Sequence, residues 1–309
     1  MQNNKRIHIP APKDFSLSKN LVYLSRSPDE CLHKVIDSSV YKVLSSGNSQ
    51  VLVSVRQNGE GLVIESVHRE FTGEEKKIVK KYVAEWFDLL TDLLPFYEFA
   101  ETDEKISMLL QNYRGIRIIG IPDLFEALCW SVIGQQINLK FAYTLKKNLV
   151  ETAGESMAFD GHKLYSFPKP GKVTELNLSE LRDMQFSRQK AEYLRGIAEM
   201  FETGKISKEA LSDLNSYHNI KAELMKIRGI GEWSADYVIM RCLRIYEALP
   251  ASDAGLINAL KNQFNLDKKP TAAEVKQIGE AWGKWKSYVV FYLWRSLINE
   301  TIETEQDNK

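Results

Sequence analysis

The sequence has few cysteines, no long apolar run and no excess of charge of either sign. Its three cysteines form no CxxC pair and lie in apolar, helix-like surroundings, which favours buried free thiols over a metal site or disulfides. No apolar run reaches the roughly 18 residues needed to cross a membrane. The N-terminal residues also lack the apolar core of a secretory signal. These absences predict a soluble, cytoplasmic protein.

Charge gives no general argument for a nucleic-acid partner. The 41 basic and 41 acidic side chains cancel, so any nucleic-acid site has to be local. The hydrophobic content of 44% and charged content of 27% are typical of a globular protein. With 309 residues, the chain is long enough for two domains.

Residues 1–92 are predicted to form an α+β N-terminal domain, with a small antiparallel sheet and helices. β-rich runs at 51–55 and 62–67 flank Asn58-Gly59, a hairpin signal. We also expect strands at 21–24 and 41–44, a helix beginning at Ser27-Pro28 and a closing helix over 73–90.

Residues 93–309 are predicted to form a mainly α-helical domain, because strand signals stop near Leu93. Residues that can cap helices begin several apolar-periodic segments: Asp123, Asn138, Ser179 and Ser187. The last helix, over about 273–300, is dense in aromatic residues, including Trp294. Some of these rings are core, and one or two could line a pocket that stacks a flat ligand.

A helix-hairpin-helix is predicted near 217–244, with the turn Arg228-Gly229-Ile230-Gly231 at its centre. Two glycines around one apolar residue allow a sharp turn that can approach a phosphate without an obstructing Cβ. An ordinary αα-hairpin with a glycine break is the alternative.

Two polar features lie elsewhere in the helical region. Gln135 and Gln136, on a short interhelical turn, could contact base edges or fill a gap in a base stack, or could satisfy loop backbone. A helix near 188–203 is locally basic, with Arg188, Lys190 and Arg195 in the helix and Arg182 before it. A solvated helix face is the commoner explanation for such a cluster.

Asp253 is the candidate for chemistry. It precedes a helical run, where an N-cap is the simple interpretation. However, it lies close to the glycine turn, and Trp233 and Tyr237 fall one helical turn apart on one face. A phosphate grip, a stacking wall and a carboxylate are the parts needed to act on a nucleotide extruded from its duplex.

Together these motifs resemble the helix-hairpin-helix DNA glycosylase superfamily, and within it the bacterial 3-methyladenine DNA glycosylase II (AlkA) type. The resemblance is carried by residues 228–231 and 233–237 and by Asp253 with Gly255-Leu256, together with 124–128 and 134–137 about a hundred residues upstream. It covers nearly the whole chain. It therefore implies a helix-hairpin-helix glycosylase domain after the α+β domain.

The resemblance also implies roles for individual residues. Asp253 would be the catalytic carboxylate, and the base pocket would comprise Trp233, Tyr237 and Trp294. The DNA-binding set would comprise Gln135, Gln136, Arg228, Gly229, Ile230 and Gly231. Within that set, Gln136 would be the wedge and the Gly229–Gly231 turn would grip a phosphate. No cofactor or metal is expected, apart from a possible structural monovalent cation at the hairpin.

Departures from the family pattern refine the expectation. Trp233 stands where bifunctional relatives carry a lysine, which favours simple hydrolysis, and no cysteine follows Cys242 to hold an iron–sulfur cluster. Gln136 replaces an apolar wedge and Ala254 a pocket aromatic, so the substrate range is open. We expect a monomeric, monofunctional glycosylase that removes alkylated purines from double-stranded DNA. The alternatives are a glycosylase for oxidised or deaminated purines and a non-catalytic damage-binding protein.

Overall fold

The N-terminal part of the chain forms a five-stranded antiparallel sheet. The computed structural model describes residues 4–47, 49–59 and 61–298. The strand order is β1-β5-β4-β3-β2, with bounds β1 Arg6–Pro10, β2 His33–Ile36, β3 Ser39–Ser46, β4 Ser49–Asn58 and β5 Gly61–Ser66. The predicted hairpin is confirmed: Asn58 pairs with Gly61, and Gly59 in the connection has a φ of +58°.

Two predictions near the N-terminus are wrong, namely the strand at 21–24 and the helix that begins at Ser27-Pro28. Residues 21–24 belong to a helix, α1 (Leu17–Leu24), whose N-cap Ser16 accepts a hydrogen bond from the Lys19 N–H. Leu17, Leu21 and Leu24 are buried at helical spacing, which the short window at 21–24 concealed. Residues 27–30 form a turn rather than a helix.

A second helix, α2 (Gly73–Trp86), begins with a complete Thr72/Glu75 capping box and ends four residues earlier than predicted. It ends because the chain turns to bury Asp88, whose φ is +47°. The Asp88 carboxylate accepts hydrogen bonds from the hydroxyls of Thr91, Tyr246 and Tyr288. Burial raises the pKa of Asp88.

From Leu94 onward, helices dominate as predicted. Their bounds are α3 Leu94–Ala100, α4 Glu104–Tyr113, α5 Leu124–Ile133, α6 Leu139–Ala153, α7 Pro170–Glu175, α8 Leu178–Asp183, α9 Arg188–Glu202, α10 Lys208–Ser212, α11 Tyr217–Met225, α12 Glu232–Val238, α13 Ala254–Gln263, α14 Ala272–Glu280 and α15 Lys286–Arg295. Asp123, Asn138 and Ser187 cap helices as predicted. Ser179 does not, because Asn177 caps α8 in a capping box with Glu180.

Two features depart from the predicted all-helical pattern. Strands β6 (Ser156–Phe159) and β7 (His162–Tyr165) form a hairpin. Its turn is Asp160-Gly161, both with positive φ, a signal visible in the sequence. The predicted helix over 273–300 is broken, because a 3-10 turn (Gly283–Trp285) separates α14 from α15 and Gly283 has a φ of +51°. Residues 299 and 300 of that prediction lie outside the described residues.

A continuous hydrophobic core runs from the sheet into the helices. It includes Val55 and Ile64 of the sheet together with Leu224 and Ile239 of the helical region. The β6–β7 hairpin also packs on the sheet, where the rings of Tyr41 and Phe159 stack 4.5 Å apart. The N-terminal region therefore supports the helices rather than lying apart from them. The boundary near residue 92 stays a prediction.

The three cysteines are buried free thiols, as predicted. Burial raises the pKa of Cys31 and Cys242 to about 12. Among the described residues, no helix is long and apolar enough to cross a membrane.

Candidate active site

Asp253 is the N-cap of α13 and is also held by two tryptophans. Its Oδ1 accepts hydrogen bonds from the Leu256 N–H at 2.7 Å and from Trp294 Nε1 at 2.9 Å. Its Oδ2 accepts one from Trp233 Nε1 at 3.0 Å. All three donors are uncharged N–H groups, so they fix the orientation of the carboxylate without neutralising its charge. The capping interpretation is therefore confirmed, and the cap leaves the carboxylate bound to two indole N–H groups as well.

The three aromatic residues predicted to form a base pocket lie together. The rings of Trp233 and Tyr237 stack with centroids 5.5 Å apart and planes at 29°. The rings of Tyr237 and Trp294 are 6.0 Å apart at 39°. Trp233 and Trp294 are half-buried, whereas Tyr237 is buried. This arrangement is an aromatic wall beside a carboxylate that two of its members orient.

Tyr237 is fixed from behind by two residues that sequence reasoning missed. Its hydroxyl accepts hydrogen bonds from Trp130 Nε1 at 2.9 Å and from Arg241 Nη1 at 2.8 Å. Burial raises the pKa of Tyr237 to about 12, so its hydroxyl stays protonated at neutral pH. Arg241 could have been noticed, because it is a charged residue inside the apolar run 237–243.

Arg241 lies where the helix geometry changes. The predicted helix from Glu232 to Leu243 is α-helical to Val238 and becomes a π-helix over Ile239–Leu243. In the π segment, buried Arg241 donates from Nε to the Ile119 carbonyl at 2.5 Å. Single π turns of this kind often lie at functional sites.

Gly255 leaves the space that the carboxylate needs. A Cβ at this position would lie 3.0 Å from Asp253 Oδ1 and 3.5 Å from the Trp294 ring. The neighbouring Ala254 is exposed. Any larger residue at 255 would crowd the hydrogen bonds that orient the carboxylate.

The helix-hairpin-helix consists of α11, a glycine turn and α12. Gly229 has a φ of +97°, and a Cβ there would overlap the Tyr193 ring. Ile230 is 4% exposed and anchors the turn. Gly231 is the exposed N-cap of α12 in extended conformation, with open space where a Cβ would be. The turn therefore presents backbone to solvent with no side chain in the way.

The loop over residues 134–137, which carries Gln135 and Gln136 and is called the glutamine loop below, lies directly against this turn. Gln135 donates from its amide to the Gly229 carbonyl at 2.7 Å and to Ser234 Oγ at 2.9 Å. Gln136 has an exposed side chain and a φ of +54°. The structure thus joins two motifs 94 residues apart. The Gln135 side chain is hydrogen-bonded to the turn, whereas the Gln136 side chain is exposed to solvent.

Arg228 is exposed at the turn, and its guanidinium lies 3.2 Å from the Glu192 carboxylate. Glu192 also pairs with Arg188 at 3.0 Å. Any anionic ligand at the turn would compete with Glu192 for Arg228. Exposed pairs of this kind contribute little, so the competition is feasible.

Metal binding finds limited support in the described residues. They contain no group of three or more His, Cys, Asp or Glu side chains placed to hold a metal ion. At the hairpin, the Ile227 carbonyl accepts the Ile230 N–H and the Gly229 carbonyl accepts the Gln135 amide. Each of these carbonyl oxygens keeps a second lone pair, which is the donor that a monovalent cation would need.

Comparison with known families identifies the class of protein. Residues 129–284 match the family model described as HhH-GPD superfamily base excision DNA repair protein. Residues 13–128 match the model described as 8-oxoguanine DNA glycosylase, N-terminal domain. The chain belongs to the HhH-GPD superfamily, with the α+β and helical parts in the predicted order, and is a DNA N-glycosylase of base excision repair.

Individual relatives narrow this class. The chain is 42% identical to the DNA-3-methyladenine glycosylase of Bacillus subtilis (strain 168), over 95% of this chain and 98% of that protein. It is similar in structure to a 3-methyladenine DNA-glycosylase from Archaeoglobus fulgidus (TM-score 0.77, 24% identity, 93% and 97% of the two chains). A Clostridium acetobutylicum 8-oxoguanine glycosylase/lyase in complex with double-stranded DNA shares the fold (TM-score 0.75, 19% identity, 94% of each chain). Within its superfamily, the chain is a glycosylase of the 3-methyladenine type.

Proposed function

We propose that this protein hydrolyses the N-glycosidic bond of alkylated purines in double-stranded DNA, without cutting the strand. The observation that carries the proposal is the Asp253 carboxylate, which Trp233 and Trp294 hold from opposite oxygens at 3.0 and 2.9 Å. The same two tryptophans therefore orient the carboxylate and form part of the aromatic wall. The 42% identical relative, named a DNA-3-methyladenine glycosylase, supports the same substrate class.

The proposed reaction uses charge on both sides of the bond. A purine alkylated at a ring nitrogen carries positive charge, which favours stacking against the Trp233, Tyr237 and Trp294 rings. As the bond between the sugar C1′ and the base nitrogen breaks, the electron pair leaves with the base, which becomes neutral. The positive charge then moves to the sugar, where the Asp253 carboxylate stabilises it. Water adds its hydroxyl to C1′, and its proton leaves to Asp253 or solvent.

Other parts of the site hold the nucleotide out of the duplex. The Gly229–Gly231 turn would bind a backbone phosphate through its N–H groups, with Arg228 beside it. Gln136 would enter the gap in the base stack. A monovalent cation on the turn carbonyls would assist the phosphate contact. Trp233 supplies no nucleophilic amine, so the sugar is expected to remain in the uncut strand as an abasic site.

We further propose that the protein acts as a monomer in the cytoplasm. The carboxylate, the aromatic wall, the glutamine loop and the hairpin all come from one chain. A second copy is not needed to complete the site.

The test is identification of the base released from duplex DNA by the purified protein. Substrates would contain 3-methyladenine, 7-methylguanine, hypoxanthine or 8-oxoguanine, with strand cleavage scored before and after alkali. Release of methylated purines with strands cut only after alkali would support the proposal. Release of 8-oxoguanine or hypoxanthine alone would favour the alternative glycosylases. Binding without release of any base would favour a damage-binding protein.

A further inference from the structure

Helix α9 contacts both the glutamine loop and the hairpin turn, the two motifs that we propose bind DNA. Lys190 and Tyr193 lie three residues apart and so share a face of this helix. Lys190 reaches the glutamine loop, whereas the Tyr193 ring fills the space beside Gly229 in the hairpin turn. The basic face that the sequence assigned to solvent therefore includes one residue turned towards the site.

The Lys190 amine closes the carboxyl end of α5. It donates hydrogen bonds to the Ile133 carbonyl at 2.5 Å and to the Gln135 carbonyl at 2.9 Å. Ile133 is the last residue of α5, so its carbonyl is one of those that a helix end leaves unpaired, whereas Gln135 lies just beyond the C-cap Gly134. A cation at a helix C-terminus also interacts favourably with the helix dipole. Gln136, with its left-handed backbone, follows directly.

Partial burial removes water from the Lys190 ammonium group, which costs free energy. Both acceptors are backbone carbonyls, and burial lowers the pKa of Lys190 to about 8. By contrast, Arg188 on the same helix is 77% exposed at its side chain and pairs with Glu192. A half-buried lysine that only caps a loop is best explained by a need to hold that loop.

We propose that Lys190 is a positioning residue that fixes Gln136 relative to the hairpin turn. Its two hydrogen bonds tie the loop backbone to α9, and the Gln135 side chain ties the same loop to the Gly229 carbonyl. With Tyr193 packed under Gly229, α9 sets the distance between the wedge and the phosphate grip. This inference rests on the proposed function, in which Gln136 enters the base stack.

The first test measures the loop in the free protein. Lys190→Met keeps the length of the stem and removes the donors, Lys190→Arg restores donors, and Arg188→Met is the matched loss of one cation from the same helix. We expect amide hydrogen exchange over residues 134–137 to rise about tenfold in Lys190→Met, as expected for losing a charged hydrogen bond. It should stay near wild type in the other two variants. Equal exchange in Lys190→Met and Arg188→Met would overturn the proposal.

The second test asks whether Lys190 acts through Gln136. Fluorescence of 2-aminopurine beside an abasic-site analogue reports unstacking without any chemistry, and single-turnover base release reports the reaction. Lys190→Met and Gln136→Ala should each lower both signals about tenfold, and the double variant should lose little more than either. A hundredfold loss in the double variant would mean independent effects and would refute the positioning role.

Failure of the proposed function gives a different pattern. A wild-type protein that releases no methylated base contradicts the substrate assignment. The hydrogen-exchange and fluorescence results still decide the role of Lys190, since neither depends on base release.

Discussion

Asp253→Asn separates the helix cap that the structure shows from the catalytic role that we propose for this side chain. Asparagine is as good an N-cap as aspartate, and its oxygen can keep the Leu256 N–H and Trp294 bonds at 2.7 and 2.9 Å. Its NH₂ group would then face the Trp233 indole N–H, a donor against a donor, in place of the 3.0 Å hydrogen bond. We expect a stability loss of about 1 kcal/mol, the typical net value of one hydrogen bond.

The loss of activity should be far larger. Two unit charges about 4 Å apart interact by roughly 4 kcal/mol at an effective dielectric constant of about 20. Losing that stabilisation of the positively charged sugar would slow base release by about 10³-fold. DNA affinity should be unchanged or tighter, because the variant removes a negative charge that repels phosphate.

Single-turnover release from methylated duplex DNA, with binding and unfolding measured in parallel, gives the three quantities. Asp253→Ala serves as a control that loses cap and charge together, so it should be less stable than Asp253→Asn by about 1 kcal/mol. Near wild-type release by Asp253→Asn would refute the catalytic assignment. A collapse in stability equal to that of Asp253→Ala would refute the reasoning about the cap.

Three further changes test other parts of the molecule. Gly229→Ala should cost about 2 kcal/mol and weaken DNA binding, because its Cβ overlaps an aromatic ring and its φ is +97°; Gly231→Ala, with open space, should fold normally, and equal stability of the two would contradict this. Tyr237→Phe should lower the free energy of unfolding in urea by about 2 kcal/mol, since buried Trp130 loses its acceptor and Arg241 Nη1 keeps only the Tyr23 hydroxyl; an unchanged midpoint would argue against that network. The hydrogen bonds from Arg69 lower the pKa of Glu75 to about 2, below its unfolded value of 4.5. This contribution to stability is therefore present above about pH 4.5 and is lost as pH falls towards 2, and urea unfolding of Glu75→Gln should show a flatter acid dependence.

Local sequence patterns predicted much of the fold, and their failures have local causes. Asp123 and Asn138 were recognisable as caps because a cap depends on residues within one turn. The four-residue window at 21–24 fits a strand as well as a helix, and only the buried face of α1 decides between them. The break between α14 and α15 follows from Gly283 in a left-handed conformation, which the surrounding aromatic periodicity concealed.

For the site, the sequence alone determined the residue types: a carboxylate at a helix start, two aromatics one turn apart, a glycine turn and a pair of glutamines. Tertiary structure decided which of these touch. Trp233 and Trp294 are far apart in sequence, yet both hydrogen-bond Asp253, and Gln135 reaches a turn 94 residues away. Hydrogen bonds between distant segments leave no periodic trace in a sequence, because their partners meet only when the core closes. For the same reason the sequence predicted Lys190 to be a solvated charge, whereas the packing of α9 against α5 turns it towards backbone carbonyls.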